Sequence, residues 1–374
     1  MLTDLLSDIR ALVECESPSS DLSAVARSAA VVERVGTARL GVEPDWIVVD
    51  GRTHLRWRIG GGSRVLLLGH HDTVWPLGSL ATRPYSVEGG VLRGPGCFDM
   101  KAGLAMAFHA AAGRDGVTLL VTGDEELGSP SSRELIEEEA RRAEVTLVLE
   151  ASADGGALKT ERKGVSLYDV QLVGRAAHAG LDPERGVNAT LELAHQALAV
   201  SALTSPEVGT TVTPTVSRAG TTSNTVPAEG SFSVDVRTRT RAEQDRVDTA
   251  IRNLRPVLSG AQVLVSGGPN RPPLEAESSA QLFERVRTVA RRLGLPQPTS
   301  AAVGGASDGN FTAGVGTPTL DGLGAVGGGA HADDEHVLVE PLAARTDLLR
   351  ALIDDLLADP IHQLETTGTH HDQT

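Results

Sequence analysis

The sequence predicts an α/β fold, a mixed sheet with parallel strands at its centre, into which a smaller α+β domain is inserted. Three observations carry that prediction. Short apolar runs recur, each delivering polar residues at its end and separated from the next by a stretch of helical spacing; the middle of the chain changes to apolar–polar alternation; and the first pattern resumes after a proline-rich crossing. Length agrees, because 374 residues is enough for two domains at roughly 100 to 200 residues each.

Leu5, Leu6, Ile9 and Leu12 lie at helical spacing within residues 2–13, and residues 22–35 repeat the signature with small side chains, so two helices open the chain. The compact run 64–68 ends at Gly69, as a buried strand does when it hands its next residues to a sheet edge. Runs 117–121 and 145–149 repeat that design, and residues 101–112 and 131–142 between them read as helices. Residues 166–173 and 230–236 then alternate like half-exposed antiparallel strands. Between those two lie a helix at 188–203 and a Thr/Val-rich strand pair at 210–218. A helix at 243–254 and a strand at 262–266 complete a four-stranded sheet backed by two helices, a ferredoxin-like arrangement. Pro269 to Pro273 mark the return crossing, after which a helix at 278–293 and the Gly-rich stretch 303–329 resume the first pattern. The expected division is a discontinuous domain of residues 1–163 and 273–374 around an inserted domain at 164–272, hinged near Lys163-Gly164 and Pro272-Pro273. Residues 364–374 are polar and unperiodic and are expected to be disordered.

Charge narrows the function. With 34 Lys and Arg against 49 Asp and Glu, the formal net charge of -15 repels phosphate, so nucleic acid and anionic membrane surfaces are excluded as partners and a bound cation is favoured. Cys15 and Cys97 are the only cysteines, too few for a disulfide framework and wrongly spaced for a thiolate zinc cluster. The first ten residues carry acidic groups where a secretory signal needs a basic start, and no window approaches about 20 apolar residues. A soluble, cytoplasmic protein is expected.

The chemistry sits where the apolar runs end. Strand 64–68 leads into Gly69-His70-His71-Asp72-Thr73-Val74. Residues two apart on an extended segment share a face, so His70 and Asp72 point one way and His71 the other. That pairing suits a metal-binding imidazole with the carboxylate that orients it; a surface histidine pair in a loop is the plain alternative. Asp99 follows an irregular Gly/Pro approach and precedes a helix, where capping is the plain alternative. Asp124, Glu125 and Glu126 follow strand 117–121 as three consecutive carboxylates, which repel one another unless a cation or proton intervenes or the turn is simply solvated. Glu150 closes run 145–149 in the same topological position, and His331 stands after three glycines that permit close backbone approach. Two histidines and three carboxylates thus lie at the carboxyl ends of successive strands, where open α/β sheets place their ligands. Imidazole and carboxylate without thiolate suit zinc, with cobalt and manganese as alternatives. Five ligands suffice for two ions about 3.5 to 4 Å apart if one carboxylate bridges them. One further carboxylate is then left to handle protons.

The stretches GHHDTV, RGPGCFDMKAG, TGDEELGS, VLE and GGGAHADDEHV resemble, in order and spacing, the dizinc exopeptidase and deacylase family that contains glutamate carboxypeptidase, acetylornithine deacetylase, succinyl-diaminopimelate desuccinylase and aminoacylase. The resemblance covers nearly the whole chain and is strongest to glutamate carboxypeptidase, from the Asn-Arg-Pro-Pro crossing together with Glu150. It implies that His70 and Glu150 bind one zinc, that Glu126 and His331 bind the other, and that Asp99 bridges them. Asp72 would then orient His70, and Glu125 would be the general base. The inserted domain resembles the family's lid and dimerisation domain. His178, in Gly174-Arg175-Ala176-Ala177-His178-Ala179-Gly180, would stabilise the oxyanion in the partner subunit of a homodimer. Asn224, Arg237 and Arg271 would hold the substrate's free carboxylate, although for Arg237 an ion pair with Asp235 or Glu229 is the plain alternative. The implied activity is hydrolysis of the amide bond of a small N-acyl or peptidyl amino acid. The rival within enzymes is an N-acyl-amino-acid deacylase of the acetylornithine deacetylase, desuccinylase or aminoacylase type. From another class comes a non-catalytic metal-binding protein, against which an intact base at Glu125 argues.

Overall fold

The computed structural model describes residues 1–61 and 63–361, so the expectation for 364–374 lies outside the described residues. The chain divides into two compact units. The first comprises Met1–Leu158, Gln281–Thr299 and the chain from Thr317 onward, and the second comprises Lys159–Ala280 and Ser300–Gly316.

The first unit is built on a six-stranded mixed sheet in the order Asp45–Val49, Arg52–Ile59, Val117–Thr122, Val65–His70, Val145–Val148, Thr319–Leu320. Val65–His70 pairs in parallel with both Val117–Thr122 and Val145–Val148, in a register that sets His70 beside Thr122 and Leu68 beside Val148. Every residue of these three strands is buried, as expected for parallel strands covered on both faces. Helices Leu2–Val13, Leu22–Leu40, Ala102–Ala111 and Leu342–Ala358 contribute Leu5, Ile9, Val32, Phe108 and Leu352 to a core shared with Leu67, Leu119 and Leu147. Asp21 starts the second helix by accepting the N–H of Ala24 at 2.8 Å, and Gly41 ends it at φ 73°.

The sequence reading passed over the hairpin Asp45–Val49/Arg52–Ile59, which adds the antiparallel side of the sheet. Its signal was present: Asp50-Gly51 adopts φ 50° and 77°, the left-handed pair of a two-residue hairpin turn. The C-terminal helix Leu342–Ala358 was likewise not foreseen. The neighbouring helix Ala102–Ala111 begins beyond Lys101, so Asp99 does not cap it.

The second unit holds an antiparallel sheet in the order Thr211–Ala219, Glu229–Thr238, Gly164–Val173, Gln262–Arg271. Helices Ala189–Ser201 and Arg241–Arg252 cover it around Tyr168, Val170, Phe232, Val234 and Val247, in the βαββαβ chain order of ferredoxin-like domains. Asn188 caps the first helix through the N–H groups of Thr190 and Leu191, and Thr240 caps the second through Glu243.

Three details differ from expectation. Residues 210–218 form one strand rather than a pair, with a register shift between Pro214 and Ser217. The last strand continues through the supposed crossing to Arg271, which is possible because it is an edge strand where the missing N–H of Pro269 leaves no ladder partner wanting. Ser300–Gly316 groups with the second unit, since Ser300–Val303 pairs with Leu158–Arg162 and the Asn310 amide donates to the carbonyls of Lys163 (3.2 Å) and Pro272 (2.7 Å). No described helix is long and apolar enough to cross a membrane.

Candidate metal centre

Three neighbouring parallel strands deliver the first unit's chemistry at their carboxyl ends: His70 ends one, the turn with Glu125 and Glu126 follows the second, and Glu150 follows the third. Donor atoms of His70, Asp99 and Glu150 lie within 4.8 Å of one another, and so do those of Asp99, Glu126 and His331. Asp99 is common to both groups, with one oxygen for each. Its Oδ1 is 3.3 Å from Nε2 of His70, and its Oδ2 is 3.2 Å from Nε2 of His331. Glu150 Oε1 stands 3.6 Å from His70, and Glu126 Oε1 stands 3.1 Å from His331. Glu125 is buried and belongs to neither group.

Asp72 organises this arrangement in two ways. Its backbone carbonyl faces Nδ1 of His70 at 2.9 Å with its carboxylate at 3.4 Å, which turns Nε2 toward Asp99. The same carboxylate accepts the N–H groups of Glu125 and Glu126, both at 3.2 Å, and the hydroxyl of Ser19 at 2.7 Å. His71 points the other way, as strand alternation requires, and is buried between the Ser28 hydroxyl and the Thr53 carbonyl, each at 3.1 Å.

Glu335 supports the site and was passed over by sequence reasoning. Buried, it accepts the N–H groups of Gly96 (2.9 Å), Phe98 (2.9 Å) and Asp99 (3.0 Å), and the Trp75 indole at 2.7 Å. One carboxylate therefore fixes the irregular loop that presents Asp99. The sequence marks it only as one more acidic residue, four beyond His331.

The electrostatics fit a cation. Burial alone would lower the His70 imidazole, but its hydrogen bonds to the carboxylates of Asp72, Asp99 and Glu150 override it and hold the group well above its ordinary value. The carboxylates of Asp99 and Glu126 push His331 up to about 10. Burial would raise Asp99, and its two histidine partners nevertheless bring it down. Burial raises Glu126, against the pull of His331. The cluster draws positive charge onto both imidazoles, and divalent ions answer the same field. The donors are imidazole and carboxylate only, with one carboxylate placed to serve two centres, which fits a pair of zinc-like ions.

In the second unit His178 is exposed and uses Nδ1 to accept the N–H groups of Gly180 (3.1 Å) and Leu181 (3.2 Å). Asn224 is exposed nearby, its carbonyl accepting from Ala179. Arg237 makes the ion pair offered as its plain alternative, donating to Asp235 at 2.8 and 2.9 Å. Arg271 is buried, pairs with Asp308 at 3.1 Å and lies over the Phe311 ring.

Residues 66–355 match the profile of peptidase family M20/M25/M40. The chain belongs to that family. As an M20 peptidase it is a metal-dependent hydrolase, which bears out the resemblance read from its motifs. It is similar to carboxypeptidase G2 of Pseudomonas sp. (strain RS-16), with 33% identity over 79% of this chain and 74% of that protein. It is also similar to succinyl-diaminopimelate desuccinylase of Magnetococcus marinus, with 26% identity over 80% of this chain and 85% of that protein. The fold is that of the aminopeptidase PepT from Bacillus cereus, at a TM-score of 0.75 and 22% identity over 96% of this chain and 99% of that one.

Proposed function

We propose that this M20 peptidase is a glutamate-carboxypeptidase-like exopeptidase, a zinc-dependent amidohydrolase acting on N-acyl or peptidyl amino acids with a free carboxylate. The observation that carries the reading is Asp99, which turns one oxygen to His70 and the other to His331. His70 and Glu150 would hold one ion, Glu126 and His331 the other, and Asp99 both. Bound there, two divalent ions supply a water of lowered pKa and polarise the scissile carbonyl.

This chain's own groups do the rest. Glu125 takes the proton of the attacking water and returns it to the leaving nitrogen. Asp72 holds the ring of His70 and, through two backbone N–H groups, the turn that aims Glu125. A neutral His178 whose Nδ1 accepts two N–H groups carries its proton on Nε2, and that N–H is a donor for the tetrahedral oxyanion. In this reading it reaches a second copy's centre, so the protein works as a homodimer with residues 164–272 as lid and dimerisation domain. Arg271, Asn224 and Arg237 grip the free carboxylate; Arg237 keeps Nη1 for this while Nε and Nη2 face Asp235. Two free thiols support a reducing compartment, and we place the protein in the cytoplasm.

Likeness to a desuccinylase favours a second reading, an N-acyl-amino-acid deacylase that shares the centre and differs in which side of the amide its pocket grips. A panel of N-acyl glutamates, dipeptides and N-succinyl amino acids, assayed after chelation and zinc readdition, separates the two. The Glu125→Ala variant should take up two zinc ions and lose about 10² to 10⁴ in turnover; full activity in that variant would refute the proton assignment.

A further inference from the structure

Behind the Glu125–Glu126 turn lies a buried polar chain that the catalytic reading does not use. Asp124, fully buried, accepts the N–H and hydroxyl of Ser131 on Oδ2 at 2.7 and 2.6 Å, and the hydroxyl of Ser132 on Oδ1 at 2.6 Å. The Ser131 hydroxyl proton is thereby spent on a carboxylate, so its oxygen is left to accept. His54, also fully buried, faces that oxygen with Nε2 at 3.2 Å and accepts the N–H of Gly123 on Nδ1 at 3.2 Å. One polarity satisfies every partner: Nε2–H of His54 donates to Ser131, and Ser131 donates to Asp124. Burial lowers the His54 imidazole against the pull of Asp124 and Asp72, in keeping with the neutral ring this requires.

The chain spans the turn. His54 ties its first residue, Gly123, to Ser131 eight residues on, and Asp124 closes the same span from inside, its carbonyl accepting the N–H groups of Leu127 (3.2 Å) and Ser129 (3.0 Å). Little slack remains, since a Cβ at Gly123 would sit 2.5 Å from the Thr53 carbonyl and 2.9 Å from Val25. The hydroxyl of the middle serine is engaged on both sides, by Asp124 and by His54, which suits a mechanical role.

We infer that His54, Ser131 and Asp124 form a hydrogen-bonded clamp that sets the position of Glu125 and Glu126, making His54 and Ser131 positioning residues for hydrolysis. The inference rests on the proposed role of those two glutamates. Its test uses the full chain in two forms. In the metal-free protein, amide hydrogen exchange at Glu125 and Glu126 should quicken at least about tenfold in Ser131→Ala and His54→Leu. His54→Gln, which keeps a donor toward Ser131, should recover most of the protection. In the zinc-loaded protein, Ser131→Ala should lower kcat about 10- to 100-fold with KM little changed, and weaken uptake of one of the two ions by a similar factor, the range typical of lost supporting hydrogen bonds. Unchanged exchange at both amides, or wild-type kcat and zinc affinity with only a lower Tm, would overturn the clamp. If the unaltered protein takes up no pair of ions while the variants still quicken exchange, the clamp stands and the metal reading fails.

Discussion

Glu335 holds Asp99 by its backbone, accepting that residue's N–H at 3.0 Å while the Asp99 side chain turns both oxygens toward histidines. Side chain and main chain of one residue are thus held by different partners. Burial raises the Glu335 carboxyl, and the N–H groups of Asp99, Gly96 and Phe98 work against that rise. Glu335→Gln replaces one acceptor oxygen by an amide NH2, which in either orientation must face N–H donors, those of Phe98 and Asp99 or those of Gly96 and the Trp75 indole. The expected outcome is a loss of about 1 to 3 kcal/mol in stability and a weakening of both zinc ions, because Asp99 serves both groups. Urea unfolding and a zinc competition titration measure the two effects; a variant with full affinity for both ions would reduce Glu335 to a structural strut.

The shared position of Asp99 makes stoichiometry informative. Removing a ligand that serves one centre should leave the other, so Glu150→Gln and Glu126→Gln should each retain one tightly held zinc ion. Asp99→Asn should weaken both. Metal content after gel filtration, compared across the three variants, checks this. Retention of two ions by Asp99→Asn would show that the groups do not meet through that carboxylate.

How much of this was legible differs from element to element. The three parallel strands were, because burial on both faces leaves an unbroken apolar run, and His70, the Glu125–Glu126 turn and Glu150 stand at their ends, whereas Asp99 and His331 come from loops outside this sheet. His71 was also readable, since a period of two sends it away from His70. The hairpin at Asp50-Gly51 was written plainly in Arg52–Ile59, where alternation and an Asp-Gly turn coincide, and was overlooked. Glu335 was not readable in the same sense. Its partners are backbone N–H groups some 236 residues away, and no side-chain pattern marks a bare N–H as a ligand. Arg237 shows the converse: its type fits a carboxylate clamp, while Asp235 two residues off already takes one edge.

Two buried imidazoles should set the acid limit of the metal-free protein. Burial pushes His71 down to about 4 and lowers His54 as well. In the unfolded chain both titrate near 6.5. Their stabilising effect is therefore fully present above about 6.5 and is lost as pH falls toward 4, by on the order of 3 kcal/mol for His71. His331 slopes the opposite way: raised to about 10, it contributes below about 6.5 and its effect fades as pH climbs toward 10. Stability without metal should thus peak near neutrality. Urea midpoints across pH, with His71→Asn for comparison, test this, and an acid limb as steep in the variant as in the parent would count against it.

Close approach packs the helix that follows Asp99 against the end of the strand that leads to Glu150. Helix Ala102–Ala111 lies so near the end of Val145–Val148 that a Cβ at Gly103 would fall well inside van der Waals contact of the Leu149 carbonyl oxygen, and 3.2 Å from the Met100 methyl. That carbonyl is backbone and cannot swing aside. Gly103→Ala must push the helix from the strand, which separates Asp99 from Glu150, four residues before the glycine and one after Leu149. Overpacking of this kind costs about 1 to 3 kcal/mol, and the ion held by His70 and Glu150 should weaken more than the other. Gly304→Ala is the control, because nothing lies within 4 Å of a Cβ there; it should be neutral or stabilising by up to about 1 kcal/mol. Thermal unfolding with zinc titration of both variants makes the comparison. Equal Tm and equal affinities in the two would mean that helix and strand are not held by this contact.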